Sequence, residues 1–302
     1  MNKNTRLWLS ATHRTLVYSD IFNYPLTEKE LWERLIASSK IDKKKLSSFL
    51  VGWEKQKKVF FKDGYYFLPG RGAIIESRRK KERLAAEKIV IAKKTARVLA
   101  IIPSVWMVGL SGNLAVNTAT LADDIDLVVV SAPKTLWLTR FAVYGLLAVA
   151  GRFLGLKVRR PGSSKTKDRL CLNLFLDYSD LKIDFERQSL FTAYQIFFLK
   201  PLKNKNRTYQ RFWNENCWIA GFLANSYRKK RVFEKKPKLN LSFSFANRLF
   251  YYFQRFYMRG KPRGEKISLT QAFFHPDSKE SKTMKVYQKK CRNFCSPKLF
   301  SS

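Results

Sequence analysis

Apolar residues recur every three to four positions through residues 5–68, and this spacing predicts three consecutive helices. The second helix begins with a capping-box pattern at Thr27 and Glu30, and Asp42 can cap the third. Two aromatic runs then flank Asp63-Gly64, a pair that is typical of a tight hairpin. The predicted order is therefore helix, helix, helix and hairpin.

Three helices followed by a two-stranded hairpin describe a winged helix, and we predict such a module over residues 1–70. In one interpretation the third helix and the hairpin contact nucleic acid through a set of lysines: Lys43, Lys44, Lys45, Lys57, Lys58 and Lys62. In the other, the module docks or packs while its lysines face solvent. The module carries only 13 basic against 7 acidic side chains. Backbone contacts to nucleic acid need no more than a basic face, so both interpretations stay open.

Segment 71–103 is predicted to be a linking helix. After it, the apolar residues follow the spacing that is typical of strands. A short apolar strand runs into a turn that contains Gly112, and residues 113–119 fit a short helix. A second apolar run follows, in which Asp124 and Asp126 alternate with Ile125 and Leu127. Side chains alternate across a strand, so both carboxylates are expected on one face.

Two carboxylates on one face of a buried strand repel each other, and burying them is costly unless cations neutralise them. Oxygen ligands at this spacing suit Mg²⁺, which also binds nucleotide phosphates. The alternative is an ordinary charged turn before a strand. That alternative, a turn at Asp123-Asp124, accounts well for Asp123 but poorly for Asp126, because apolar residues lie on both sides of Asp126.

Gly112-Asn113, ten intervening residues and then Asp124-Ile125-Asp126-Leu127 resemble the signature of the DNA polymerase beta-like nucleotidyltransferase superfamily. The resemblance covers about residues 105–185, and Asn113 stands where the family usually has serine. It implies transfer of a nucleoside monophosphate from a nucleoside triphosphate with Mg²⁺ or Mn²⁺. By this resemblance Asp124 and Asp126 are catalytic metal ligands, and Gly112 with Asn113 holds the nucleotide.

The same family uses a third carboxylate on a later strand, which we place at residues 170–177. Asn173 aligns with that position, and an amide oxygen can ligate a metal but cannot accept a proton. Asp177 is expected on the same face, two residues further along, and could act as the catalytic third acid instead. A catalytically degenerate protein that keeps the fold and regulates by binding nucleic acid is the alternative function.

The amino-acid composition indicates that the protein binds an anionic partner. The 302 residues include 59 Lys+Arg against 23 Asp+Glu, a net charge of +36, and 45% hydrophobic residues, so the chain is folded and strongly basic. Residues 201–302 alone carry 24 basic and 5 acidic side chains. We expect this basic C-terminal third to bind nucleic acid or another polyanion. Aromatic residues at helical spacing in segment 239–258 indicate a core helix more than a base-stacking surface.

Localisation is predicted from three further features. The four cysteines lack metal-ligand spacing, and the N-terminal residues lack the apolar core of a signal peptide, so we expect a reduced, cytoplasmic protein. The uncharged stretch Phe141–Gly151 is too short to cross a bilayer. We therefore predict a buried core helix and no transmembrane segment, with attachment to a membrane surface as the alternative.

The predicted fold is an α/β (α+β) nucleotidyltransferase core, with a winged-helix module before it and a helical region after it. The boundaries are residues 1–70 for the winged helix, 71–103 for the linking helix, 104–187 for the core and 188–302 for the basic, aromatic-rich helical region.

Overall fold

The computed structural model describes residues 3–159, 166–230, 242–258, 266–274 and 278–294. The fold is mixed α/β. The helices in these ranges are α1 Lys3–Asp20, α2 Glu28–Glu33, α3 Lys43–Lys55, α4 Ile74–Leu99, α5 Gly112–Ala115, α6 Leu136–Leu154, α7 Leu190–Phe198, α8 Thr208–Glu215, α9 Ser242–Met258 and α10 Ser278–Phe294. The strands are β1 Phe60–Lys62, β2 Tyr65–Phe67, β3 Val105–Leu110, β4 Ile125–Ser131, β5 Leu170–Asp177, β6 Lys200–Asn204, β7 Lys266–Ile267 and β8 Gln271–Phe273.

The local signals in the N-terminal segment are confirmed. Thr27 caps α2, and its side chain and that of Glu30 form the reciprocal capping box. The side chain of Asp42 accepts a hydrogen bond from a backbone amide in the first turn of α3. Asp63 and Gly64 join β1 to β2 with φ values of +52° and +83°. Because each of these signals acts within a few residues, none depends on the rest of the fold.

A six-stranded sheet, in the order β6-β3-β4-β5-β8-β7, forms the centre of the described structure. Strands β4 and β5 are parallel, and every other neighbouring pair is antiparallel. The expected helical region 188–302 contains α7, α8, α9 and α10, but it also supplies strands β6, β7 and β8, which were not expected. These strands are two to five residues long and lie at or near the edges, where Lys-Pro-Leu-Lys-Asn in β6 is typical of an edge strand.

Helices cover both faces of the sheet. One face carries Leu127 and Val129 of β4 and packs against α4, α5, α6 and α9. The other carries Val128 and Val130 and belongs to an apolar cluster that continues into α1, α2, α3 and α7. The N-terminal helices therefore pack against the sheet in one core. This placement brings the start of β4 and the turn before α5 into a crevice between layers.

Candidate functional site

The turn between β3 and α5 lies directly over the acidic end of β4. Asp126 is the second residue of β4, and its backbone carbonyl accepts a hydrogen bond from the amide of Ser111 at 2.9 Å. Gly112 follows with φ +66°, and a Cβ at this position would lie 2.9 Å from Cγ of Asp126. Only glycine allows both this backbone conformation and this approach. The Gly112 turn and the Asp126 carboxylate are thus in direct contact.

A β-bulge places Asn173 beside Asp126. Leu127 pairs with Leu172 and the next residue of β4 pairs with Leu174, so Asn173 is the extra, unpaired residue of β5. Its amide Nδ2 donates a hydrogen bond to Oδ1 of Asp126. The backbone carbonyl of Asn173 accepts a hydrogen bond from the amide of Phe274 at 2.9 Å, just beyond β8. Asn173, which we expected near the two aspartates, therefore lies beside Asp126.

The structure does not bring Asp177 to this cluster, and the expectation that it shares a face with Asn173 is wrong. The bulge reverses the alternation of side chains beyond Asn173, so Asp177 lies on the opposite face at the far end of β5. Its carboxylate accepts hydrogen bonds from the backbone amides of Thr135 at 3.1 Å and Ser179 at 2.9 Å. Asp177 is fully buried and organises the start of α6. Its predicted catalytic role does not fit this position.

Three potential ligand atoms converge at the ends of β4 and β5. The side-chain oxygens of Asp124 and Asp126 and the Sγ of Cys171 all lie within 4.8 Å of one another. Cys171 pairs with Asp126 across the two strands and donates a hydrogen bond to Oδ1 of Asn173 at 2.7 Å. Burial, with the nearby charges of Asp126 and Asp124, raises the pKa of the Cys171 thiol well above its ordinary value, so it is protonated at neutral pH.

Arg159 balances the outer carboxylate, Asp124. Arg159 Nη1 lies 2.5 Å from Oδ2 of Asp124. Burial alone would lower the pKa of Arg159, but the hydrogen bond to Asp124 outweighs that effect and raises it. In the conformation described here, Asp124 is paired with a guanidinium and Asp126 with an amide.

The loop before β4 is anchored from α4. Lys88 is buried and donates hydrogen bonds to the backbone carbonyls of Leu121, at 3.1 Å, and Asp123. Asp123 in turn accepts hydrogen bonds from Nδ2 of Asn113 at 3.4 Å and from the amide of Thr120 at 2.7 Å. These contacts hold the loop in position, and they direct the Asn113 side chain toward Asp123.

A cavity of about 170 Å³ opens beside Asp126. Asn173, Ser111 and Gly112 contribute to its wall, and most of the remaining lining is apolar. That apolar lining comes from β4, β5, α7, α8 and β8: Val128, Leu174, Ile196, Phe191, Phe212 and Phe273. Charged side chains at Arg187, Lys279 and Glu280 also contribute. The site can therefore receive a small molecule with a substantial apolar part next to a carboxylate.

Sequence reasoning missed three residues of the site. Cys171 lacks metal-ligand spacing in the sequence, so nothing in the pattern marked it. Arg159 is one of several basic residues in segment 159–167, and no spacing there is diagnostic; residues 160–165 lie outside the described residues. Ser111 carried no signal except its position before Gly112, yet it lines the cavity beside Asp126, to which Asn113 does not contribute.

A scan against models of protein families, a search of curated proteins and a search of solved structures find no match to this chain.

Proposed function

We propose that this protein is a Mg²⁺-dependent nucleotidyltransferase that moves a nucleoside monophosphate from a nucleoside triphosphate to an acceptor. The observation that carries the proposal is the pair Asp124 and Asp126, whose carboxylate oxygens lie within 4.8 Å of each other, with Asp126 under the Gly112 turn at the wall of a cavity. A winged helix over residues 1–70 and a nucleotidyltransferase core are parts of the same proposal. The helix-helix-helix-hairpin order and the β3-turn-α5-β4 order support them.

The donor set fits a hard divalent cation. Asp124 and Asp126 offer carboxylate oxygens, and the side chain of Asn173 can present its oxygen instead of its nitrogen after rotating about its last bond. The protonated Cys171 thiol is a poor ligand for Mg²⁺ and remains a hydrogen-bond donor. A bound Mg²⁺ or Mn²⁺ would neutralise the phosphates of the nucleotide next to the two aspartates.

The backbone around Gly112 suits the phosphates. The first amides of a helix have no partner within the helix, and α5 begins at Gly112. Gly112 and Asn113 would hold the triphosphate through these amides, with Ser111 supplying the hydroxyl that the family usually takes from serine. The apolar part of the cavity would receive the organic portion of a substrate.

A catalytically degenerate protein that binds nucleic acid is the second candidate, and Asn173 favours it. The amide cannot accept a proton from an attacking hydroxyl, and Asp177 lies too far along β5 to replace it. Five lysines of the third helix and hairpin are exposed, as backbone contacts to nucleic acid require: Lys43, Lys44, Lys45, Lys57 and Lys62. In that case the fold would bind a nucleotide or nucleic acid without transferring a group.

One experiment separates the two candidates. The full chain is incubated with labelled nucleoside triphosphates, Mg²⁺ or Mn²⁺ and a panel of RNA, protein and small-molecule acceptors, beside Asp126→Asn. We expect metal-dependent triphosphate binding by calorimetry and label transfer in the native protein, both lost in the variant. Asp184→Asn is the matched control, because it removes one exposed carboxylate outside the site.

The outcomes are distinct. Binding without transfer in the native protein would favour the degenerate alternative. Loss of triphosphate binding in Asp184→Asn as well as in Asp126→Asn would mean that net charge, and not the site, holds the nucleotide. A native protein that binds no triphosphate in the presence of Mg²⁺ or Mn²⁺ contradicts the proposed activity.

A further inference from the structure

Most of the large apolar residues described in helix α9 lie on its exposed side. Its buried side carries Tyr251, which packs in the core, and the polar residues Asn247 and Gln254, which bond to α6. Asn247 Oδ1 accepts a hydrogen bond from the amide of Trp137 at 2.7 Å, and Gln254 Nε2 donates to the carbonyl of Trp137 at 2.8 Å. Its exposed side carries five large apolar residues at helical spacing: Phe245, Leu249, Tyr252, Phe253 and Phe256. The expectation that the aromatic residues of this segment form a core is wrong for the four aromatic residues among these five.

Helix α6 adds to the same kind of surface. Among the described residues it is the one helix that is long and apolar enough to cross a membrane by length and composition, and a third of its apolar stretch is buried. The buried side, with Trp137, Val143 and Leu147, packs on the sheet. The outer side exposes Phe141, Val149, Phe153 and Leu154, and Phe153 is 84% exposed.

The two helices lie against each other, so their exposed residues belong to one region. Phe141 of α6 contacts Phe250 of α9 with ring centroids 4.8 Å apart, and Trp137 contacts Tyr251 at 5.2 Å. We call this region the α6–α9 face. Its exposed apolar residues are Phe141, Val149, Phe153, Leu154, Phe245, Leu249, Tyr252, Phe253 and Phe256. Soluble monomers rarely expose so many large apolar side chains together, and such patches mark interaction sites.

The helices of this apolar face carry positive charge, and so do the segments next to α9 in the sequence. Neither α6 nor α9 contains an acidic residue, and Arg152, Arg248 and Arg255 are exposed on them. Around α9 in the sequence, residues 228–263 include twelve basic residues and one acid, Glu234. The chain thus joins an apolar helix face to a strongly basic segment.

We propose that the α6–α9 face attaches the protein to the surface of an anionic lipid bilayer. Helices that lie in a bilayer interface combine an apolar face rich in aromatic and aliphatic residues with basic residues that contact lipid phosphates. Lys and Arg clusters beside such a face are attracted to the negative surface potential of anionic lipids. The apolar face and its charge are both complementary to that surface.

Two other roles, binding of nucleic acid and crossing of the bilayer, fit the residues of the α6–α9 face less well. Nucleic acid would use the arginines and stack bases on rings, but Val149, Leu154 and Leu249 are aliphatic and offer no stacking surface. A helix that crosses the bilayer would have to remove Trp137, Val143 and Leu147 from the sheet. The α6–α9 face can instead enter the interface while both helices stay packed on the protein.

The test is sedimentation of the full chain with vesicles. We use vesicles of phosphatidylglycerol mixed with phosphatidylcholine, and vesicles of phosphatidylcholine alone. The native protein is expected to bind the mixed vesicles and to bind the neutral ones at least about tenfold more weakly, because several basic side chains contribute near the surface. In Phe253→Ser and Phe256→Ser, the partition coefficient should fall about tenfold for each side chain removed from the interface.

Phe185→Ser is the matched control, since Phe185 is 86% exposed but lies in the short 3₁₀ segment Phe185–Arg187, outside both helices. The control should bind vesicles as the native protein does, and circular dichroism melts should be the same for all three variants. Equal binding to neutral and anionic vesicles, or equal loss in the control, overturns the proposal. So does a native protein that stays in the supernatant.

Two further results would assign the face to another occupant. A dimer by light scattering that Phe253→Ser dissociates, without vesicle binding, would assign it to a second copy of the chain. RNA or DNA binding that Phe253→Ser abolishes, again without vesicle binding, would assign it to nucleic acid. Either result overturns the lipid proposal and leaves the proposed transferase activity untouched, because the face lies outside the Asp124–Asp126 site.

Discussion

Strands β4 and β5 carry two buried aspartates that differ in how their charge is compensated. Asp177 bonds to the backbone amides of Thr135 and Ser179, which cannot move away without breaking the local fold. Asp126 accepts a hydrogen bond from the side-chain amide of Asn173, which can rotate, and it forms part of a cavity wall. Both aspartates are buried, so burial alone does not distinguish one position from the other.

The comparison teaches where to look for a site that can accept a cation. A carboxylate that is held by backbone donors already has fixed partners, whereas one held by movable side chains next to open space can exchange them for a ligand. Asp124 belongs with Asp126 in this respect, because its partner is the side chain of Arg159. Four predictions examine this distinction, in order of the largest decrease in the free energy of unfolding that each one expects.

Replacing Asp177 should cause the largest loss of stability. Asp177→Ala leaves buried donors at Thr135 and Ser179 without a partner, so we expect the free energy of unfolding to fall by about 4 kcal/mol. Asp126→Ala should cost only about 1 kcal/mol, because its surroundings open to a cavity, but should abolish Mg²⁺-dependent nucleotide binding. Urea denaturation and calorimetry measure the two effects. The distinction fails if both variants lose similar stability and similar binding.

A substitution at Gly112, which lies against Asp126, should cause the next largest loss of stability. Gly112→Ala introduces a Cβ against the Asp126 carboxylate at a positive φ, and we expect about 3 kcal/mol of destabilisation. Gly64→Ala is the matched control, since Gly64 has φ +83° but an added Cβ there meets nothing within 4 Å. It should cost only about 1 kcal/mol for the backbone conformation. Equal melting temperatures for the two variants would show that the Asp126 contact contributes nothing.

Asn173→Asp should make stability depend on metal. A carboxylate in place of the amide would lie against Asp126, so in EDTA the variant should lose about 2 kcal/mol of unfolding free energy through repulsion. Added Mg²⁺ should restore most of that loss by binding between the acids. Thermal melts of native and variant protein, each with EDTA and with Mg²⁺, provide the measurement. A variant that is as unstable in Mg²⁺ as in EDTA would argue against a cation site here.

A partly buried acid, Glu30, extends the comparison to a carboxylate balanced by arginines. Arg78 Nη1 lies 2.6 Å from Glu30 Oε2, and Arg34 Nη2 lies 2.8 Å from Oε1. Burial alone would raise the pKa of Glu30, but Arg34 and Arg78 outweigh it, so the pKa lies below its ordinary value of 4.5. The stabilising effect is therefore complete above pH 4.5 and is lost as the pH falls further, through the folded-state pKa.

Glu30→Gln should cost about 1 kcal/mol at neutral pH, because the amide keeps part of the hydrogen bonding. The difference between native and variant protein should shrink as the pH falls below 4.5. Denaturation across acidic pH measures this trend. A difference that is constant, or that grows on acidification, would mean that the arginines do not hold Glu30 in its charged form.

The sequence predicted those parts of the fold and of the site that depend on neighbouring residues. The capping box at Thr27 and the hairpin at Asp63-Gly64 act over a few positions, so their patterns are sufficient. Asp124 and Asp126 came together as predicted because they are two residues apart on one chain segment. Asn173 was found through the resemblance to a family whose third acid lies on a later strand, and the structure brings it to Asp126.

The errors concern features that require a partner strand or helix. The bulge at Asn173 exists only in the pairing of β5 with β4, so strict alternation misplaced Asp177. Strand β6 lies at the edge of the sheet, where solvent covers one side, and it therefore contains lysines and a proline. These residues obscured the pattern of apolar positions that predicts a strand. Helix α9 exposes its apolar side because Asn247 and Gln254 bond to α6, and a hydrophobic periodicity does not show which side of a helix packs.

The sequence by itself determined the basic character of the chain, the order of its local elements and the two aspartates before and within a buried strand. Composition and short-range backbone preferences are properties of the unfolded chain and survive into any fold. The tertiary structure decided which acid has movable partners, where the cavity opens and which helix faces stay exposed. Those depend on register and packing between distant segments, which are set only when the whole core forms.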